Sequence, residues 1–174
     1  MQNEKKSLAA ASIAWLLAGP ACAHVTIDPP AAPAGAYQRI AFRVGHGCDG
    51  SATTGIVVQL PEGLASAKPM PKPGWTIELA EGAFAVPLQL HGKTVTRGVR
   101  QVAWRGGPLP DAYYDEFVVM VKLSDTPGRY VFKVGQQCEK GRVDWADVPA
   151  NGARSTTPAP VLDVVPAQAA GHQH

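Results

Sequence analysis

Sixteen prolines and eighteen glycines interrupt this chain along its length. Between these breaks, about ten residues apart, polarity alternates with a period of two rather than 3.6. Proline removes a backbone donor and glycine weakens any regular element, so such short intervals cannot support long helices that bury one face. They suit strands. In residues 37–44, Tyr37, Arg39, Ala41 and Arg43 fall on one face and Gln38, Ile40, Phe42 and Val44 on the other, as in a strand with one buried side. Further strands are expected at 25–28, 53–60, 75–79, 84–90, 95–104, 116–123, 129–134, 142–145 and 161–165. The pattern predicts an all-β fold, a two-sheet immunoglobulin-like or cupredoxin-like β-sandwich of about eight to ten strands. Residues 63–68 are expected to make a single turn at most. Pro69, Pro71 and Pro73 deny ladder donors to the next segment, which is expected to cross between sheets or edge the sandwich. The Asn, Gly, Ser, Thr and Pro of residues 150–160 read as a loop before the last strand.

The first 23 residues read as a secretory signal peptide. Lys5 and Lys6 precede an apolar stretch from Leu8 to Leu17, Gly19-Pro20 breaks it, and Ala21-Cys22-Ala23 offers an A-x-A cleavage site. A lipid anchor on Cys22 is the rival reading, but Gly19, Pro20 and Ala21 lack the leucine and small residue expected before a lipid-modified cysteine. The apolar stretch falls short of the about 20 residues that span a bilayer. The organisation expected is a cleaved leader over 1–23, one sandwich domain over 24–166 and a flexible tail over 167–174. Removing Glu4, Lys5 and Lys6 with the leader takes the net charge from +2 to +1. No clustered Lys and Arg remain to bind nucleic acid or to hold the processed chain strongly to a membrane. Loss of Cys22 turns three cysteines into the pair Cys48 and Cys138. In a periplasmic or secreted protein, a disulfide between them is expected. The alternative, a two-thiolate site for copper(I) or zinc, lacks a C-x-x-C spacing.

Cleavage after Ala23 would make His24 the first residue. Its α-amine, a group that titrates at ~7.7–8.0 in simple peptides, and its Nδ1 can then close one ring around a metal ion. Copper(II) suits nitrogen donors in a tetragonal plane and tops the divalent affinity order. Asp111, Asp115 and Glu116 are nearby carboxylates in sequence that a fold can bring in as a further ligand. Glu116 also reads as a solvated residue at a strand start. His46 and His91 read as turn residues. His172 and His174 form a possible weak second site in the tail. With Met70 and Met120 alone in the processed chain, no methionine-rich copper(I) site is available.

The order Ala23-His24-Val25-Thr26, His46-Gly47-Cys48-Asp49-Gly50, Lys68-Pro69-Met70-Pro71-Lys72-Pro73-Gly74-Trp75, Tyr114-Asp115-Glu116-Phe117 and Gln137-Cys138-Glu139-Lys140-Gly141 followed by Trp145 resembles the YcnI-like domain of exported copper-binding proteins. The resemblance spans nearly the whole processed chain. It implies a β-sandwich with copper(II) held by the N-terminal histidine in a monohistidine brace, with a glutamate ligand and a tryptophan beside the metal. Carried over by motif, these are His24, Glu116 and Trp145. A shift of the alignment hands the carboxylate role to Asp111. Trp145 is expected beside the ion as a hydrogen-bond donor or shield.

The expected role is that of a copper carrier or chaperone in acquisition or homeostasis, with other periplasmic or membrane copper-handling proteins as partners. No enzymatic activity is expected, and no hydrolase, zinc-protease or nucleotide-binding motif is present. Two alternatives stand: a copper-dependent oxidase or monooxygenase, for which His46 or His91 would have to join the brace, and a metal-free adhesion or assembly module.

Overall fold

The computed structural model describes residues 24–150 and 153–167. The expected leader and the tail histidines His172 and His174 lie outside them. The described residues form twelve strands: β1 (Thr26–Asp28), β2 (Ala31–Pro33), β3 (Tyr37–Val44), β4 (Thr53–Gln59), β5 (Ala65–Pro69), β6 (Trp75–Leu90), β7 (Lys93–Leu109), β8 (Asp115–Lys122), β9 (Gly128–Val131), β10 (Lys133–Cys138), β11 (Arg142–Trp145) and β12 (Val161–Val165). They make one sheet of order β1-β3-β8-β5, a second of order β11-β10-β4-β7-β6 and a small third of order β2-β12-β9. No helix among these residues is long and apolar enough to cross a membrane.

The inward faces follow the alternation read from the sequence. Ile40 and Phe42 of β3 and Phe117, Val119 and Val121 of β8 are fully buried, while Met120 points outward at 41% exposure. They face Ile56 and Val58 of β4 and Val102 and Trp104 of β7 in one core. Phe117 joins two elements here, meeting Trp75 at 4.9 Å and Trp104 at 5.6 Å between ring centroids, both T-shaped. Each buried side chain of this size contributes about 1.5–3 kcal/mol relative to exposure.

Three segments depart from the expectations. Residues 65–69 form β5 rather than a turn: Lys68 and Pro69 pair with Met120 and Val119 of β8. Pro69 is tolerated because β5 is the edge of its sheet. The expected strands 75–79 and 84–90 fuse into β6, since Gly82 stays paired with Gly98 and register shifts after Ala80 and Ala83 absorb the irregularity. The expected strand 129–134 divides at Phe132. Its side chain is fully buried and its N–H bonds to the carbonyl of Pro160 at 2.9 Å, while β9 pairs with β12 and β10 with β4. The chain thus changes sheets at that residue. His91 and Gly92 turn the β6–β7 hairpin with φ of 52° and 73°, the left-handed pair that a two-residue hairpin turn requires.

Candidate metal centre

Antiparallel pairing of Thr26 with Arg43 and of Asp28 with Ala41 sets His24, two residues ahead of β1, level with Gly45. His24 therefore lies at the end of the sandwich where β3 leaves for the loop carrying His46. On the opposing sheet β11 pairs with β10 so that Trp145 stands opposite Val134. Both side chains point into the core, and Trp145 is 4% exposed.

Three rings meet there. The His24 ring packs edge to face with Trp145 at 5.8 Å and an interplanar angle of 86°. The His46 ring does the same at 6.1 Å and 80°. His46, expected to be a turn residue, thus joins the cluster. Among the described residues His24 Nε2 is buried without a hydrogen-bond partner, a condition that costs about 1–3 kcal/mol.

The cluster rests on Gln136, a fully buried amide on β10. Trp145 Nε1–H donates to Gln136 Oε1 at 3.0 Å. Gln136 Nε2 donates to the carbonyl of His46 at 2.7 Å and to Thr53 Oγ1 at 2.8 Å. A buried amide engaged at both ends rigidifies its surroundings. Sequence reasoning missed this residue, although its signal was present: Gln136 is polar at the inward position two residues after Val134.

The loop after His46 is pinned at several points. Cys48 N–H bonds to the Ser51 carbonyl and Ser51 N–H to the Cys48 carbonyl, at 3.0 and 2.9 Å. The turn between them runs through Asp49 and Gly50 at φ of 47° and 79°. Gly47 abuts the Ser51 carbonyl so closely that a Cβ would collide with it. Its N–H donates to Asp111 Oδ1 at 2.7 Å. The expected disulfide is present, joining Cys48 to Cys138 of β10.

Glu116 occupies a different environment. It stands on the outward face of β8, where Arg39 and Arg43 each donate to one carboxylate oxygen at 2.9 Å. The Arg43 bond, then the Arg39 bond, hold its carboxyl below the usual carboxylate range. The folded state therefore gains stability from Glu116 above the unfolded carboxyl pKa and loses it as pH falls through the lower folded value. Glu116→Gln is expected to lower the melting temperature at neutral pH, with the gap to the parent closing in acid. An equal gap at every pH would show that the ion pairs add nothing. Asp115 pairs with Lys72 at 2.6 Å. His91 Nε2 meets the Tyr37 hydroxyl at 2.8 Å, away from the cluster.

The structure thus brings together His24, Trp145 and His46, sets Asp111 against the His46 loop and leaves Glu116 with its two arginines. Among the described residues no three His, Cys, Asp or Glu side chains converge as a metal-holding group.

Fold and site together define an immunoglobulin-like β-sandwich with an imidazole–indole cluster at one end. The chain belongs to the family described as Domain of unknown function (DUF1775), matched over residues 24–164, and this is the YcnI-like family. Among solved structures, an uncharacterized protein from Nocardia farcinica with an immunoglobulin-like fold is 29% identical, with a TM-score of 0.63 over 81% of this chain and 97% of that chain. No curated protein matches.

Proposed function

We propose that this chain is an exported copper(II)-binding protein, a carrier or chaperone whose cargo is held by the α-amine and imidazole of His24 after cleavage behind Ala23. The observation that carries this reading is the place of His24 directly behind Ala23, with its ring packed edge to face on the buried Trp145. While Ala23 remains attached, the nitrogen of His24 is a non-basic amide; cleavage converts it into a donor that binds copper together with Nδ1. A disulfide fits an oxidising compartment such as the periplasm or the extracellular space.

A carboxylate completes the plane in this reading. Glu116 would have to exchange two guanidinium partners for the metal, whereas Asp111 already stands at the His46 loop. The smaller rearrangement favours Asp111. One observation favours the oxidase alternative: a second imidazole, that of His46, flanks the same indole.

The processed protein is expected to bind one copper(II) and give a type 2 paramagnetic resonance spectrum with nitrogen coupling. Absence of binding would sink the carrier reading and leave a metal-free module. Peroxide formation by the loaded protein with ascorbate would move the assignment to the oxidase.

A further inference from the structure

We propose that Gln136 is a positioning residue of the copper centre. By accepting the Trp145 indole N–H, it makes Trp145 serve the ion bound at His24 as a ring that excludes water, and not as a hydrogen-bond donor to a copper ligand. The inference rests on the copper reading above and deepens it. Trp145 Nε1–H is already donated to Gln136 Oε1 at 3.0 Å inside the core, and an indole has no second donor. What the side chain offers His24 is its ring, met edge to face at 5.8 Å and 86°.

Sheet register builds this pair. β10 and β11 run antiparallel with Gln136 opposite Val143 and Val134 opposite Trp145. Gln136 and Trp145 are therefore diagonal neighbours on the inward face, at a separation that long side chains bridge. Gln136 is fully buried and Trp145 nearly so. A buried donor or acceptor left unpaired costs about 1–3 kcal/mol, so the indole N–H does not leave the amide for another acceptor without that loss.

The orientation of the amide is fixed by its partners. Gln136 Nε2 lies 2.7 Å from the carbonyl of His46, which only accepts, and 2.8 Å from the hydroxyl of Thr53, a fully buried residue of β4. Turned over, the amide would set oxygen against the His46 carbonyl and N–H against the indole N–H, and neither contact could bond. Oε1 therefore faces Trp145. The amide thus locks the indole to β4, β10 and the His46 loop at once. Partners that orient the surroundings of a metal in this way typically change its affinity 10–100-fold when lost, and an apolar shell controls how far water reaches the ion.

Solvent-proton relaxation by bound copper(II), and the rate at which a chelator withdraws it, read how far water reaches the ion. Both are measured on protein processed to begin at His24. Trp145→Phe keeps a ring and loses the N–H, and is expected to stay within about twofold of the parent, whereas Trp145→Ala is expected to release copper about 10-fold faster or more. Gln136→Leu cannot accept the indole N–H and is expected to follow Trp145→Ala in relaxation and release. In the metal-free protein its Trp145 indole N–H resonance is expected to move upfield, the mark of a lost hydrogen bond. Trp145→Phe behaving as Trp145→Ala would show that the N–H serves the ion and would overturn the proposal, as would parental relaxation and release in Gln136→Leu. If Gln136→Leu does not fold, the two Trp145 variants still decide. A parent that binds copper(II) no differently from all three variants leaves the carrier reading intact and removes this inference, whereas a parent that binds none removes both.

Discussion

A chain with one extra residue ahead of His24 is expected to bind copper(II) roughly 10²–10⁴-fold more weakly than one that begins there, the gain typical of joining two donors in one molecule. The added residue converts the α-amine into an amide, which has no lone pair to offer near neutral pH. The new terminal amine is displaced from the His24 ring and cannot close the same chelate. The fold is untouched, because His24 precedes β1 and its backbone is outside the strand ladder. Competition titration against a copper chelator checks this, with urea unfolding of the metal-free forms as the control for folding. Equal affinities would show that the amine is not a ligand.

Removing the disulfide is expected to cost roughly 2–5 kcal/mol of stability, the range for losing a native bridge. Cys48 and Cys138 are separated by 90 residues, so the crosslink restricts a large part of the unfolded chain, and long loops gain most in the chain-entropy account. The bridge also ties the His46 loop to β10, beside Gln136 and Trp145. A protein with Cys48→Ser and Cys138→Ser is therefore expected to unfold at a lower urea concentration and to bind copper(II) more weakly. The urea midpoint and slope, measured against the parent, give the first effect. A midpoint shift worth less than about 1 kcal/mol would contradict the chain-entropy argument.

The strand faces were legible because a period of two exposes the buried side directly: Ile40, Phe42 and Val44 lie where alternation placed them. The cysteine pair was legible by parity once Cys22 is assigned to the leader. Segment 65–69 was less so. Pro69 and the prolines after it were expected to cross between sheets or edge the sandwich, and the sheet order gives the edge, but the pairing of residues 65–69 with β8 as a strand was not foreseen. Glu116 was readable as a carboxylate at a strand start. Its commitment to Arg39 and Arg43 depends on the β3–β8 register, which sets Glu116 opposite Arg43.

His46 makes the sharpest contrast. Beside Gly47 and Cys48 it carries the local signature of a turn, and a turn does follow it. Its ring reaches Trp145, 99 residues away in the chain, because the two sheets close over each other and Gln136 spans the gap.

By itself, the order of residues determined the all-β class, the cysteine pair and the histidine that cleavage behind Ala23 would expose, since these follow from local periodicity, counting and a cleavage pattern. The tertiary structure alone decided which side chains share the centre. Contacts between residues distant in the chain depend on strand register and sheet packing, and those place His46 and Gln136 with Trp145 while turning Glu116 outward to its arginines.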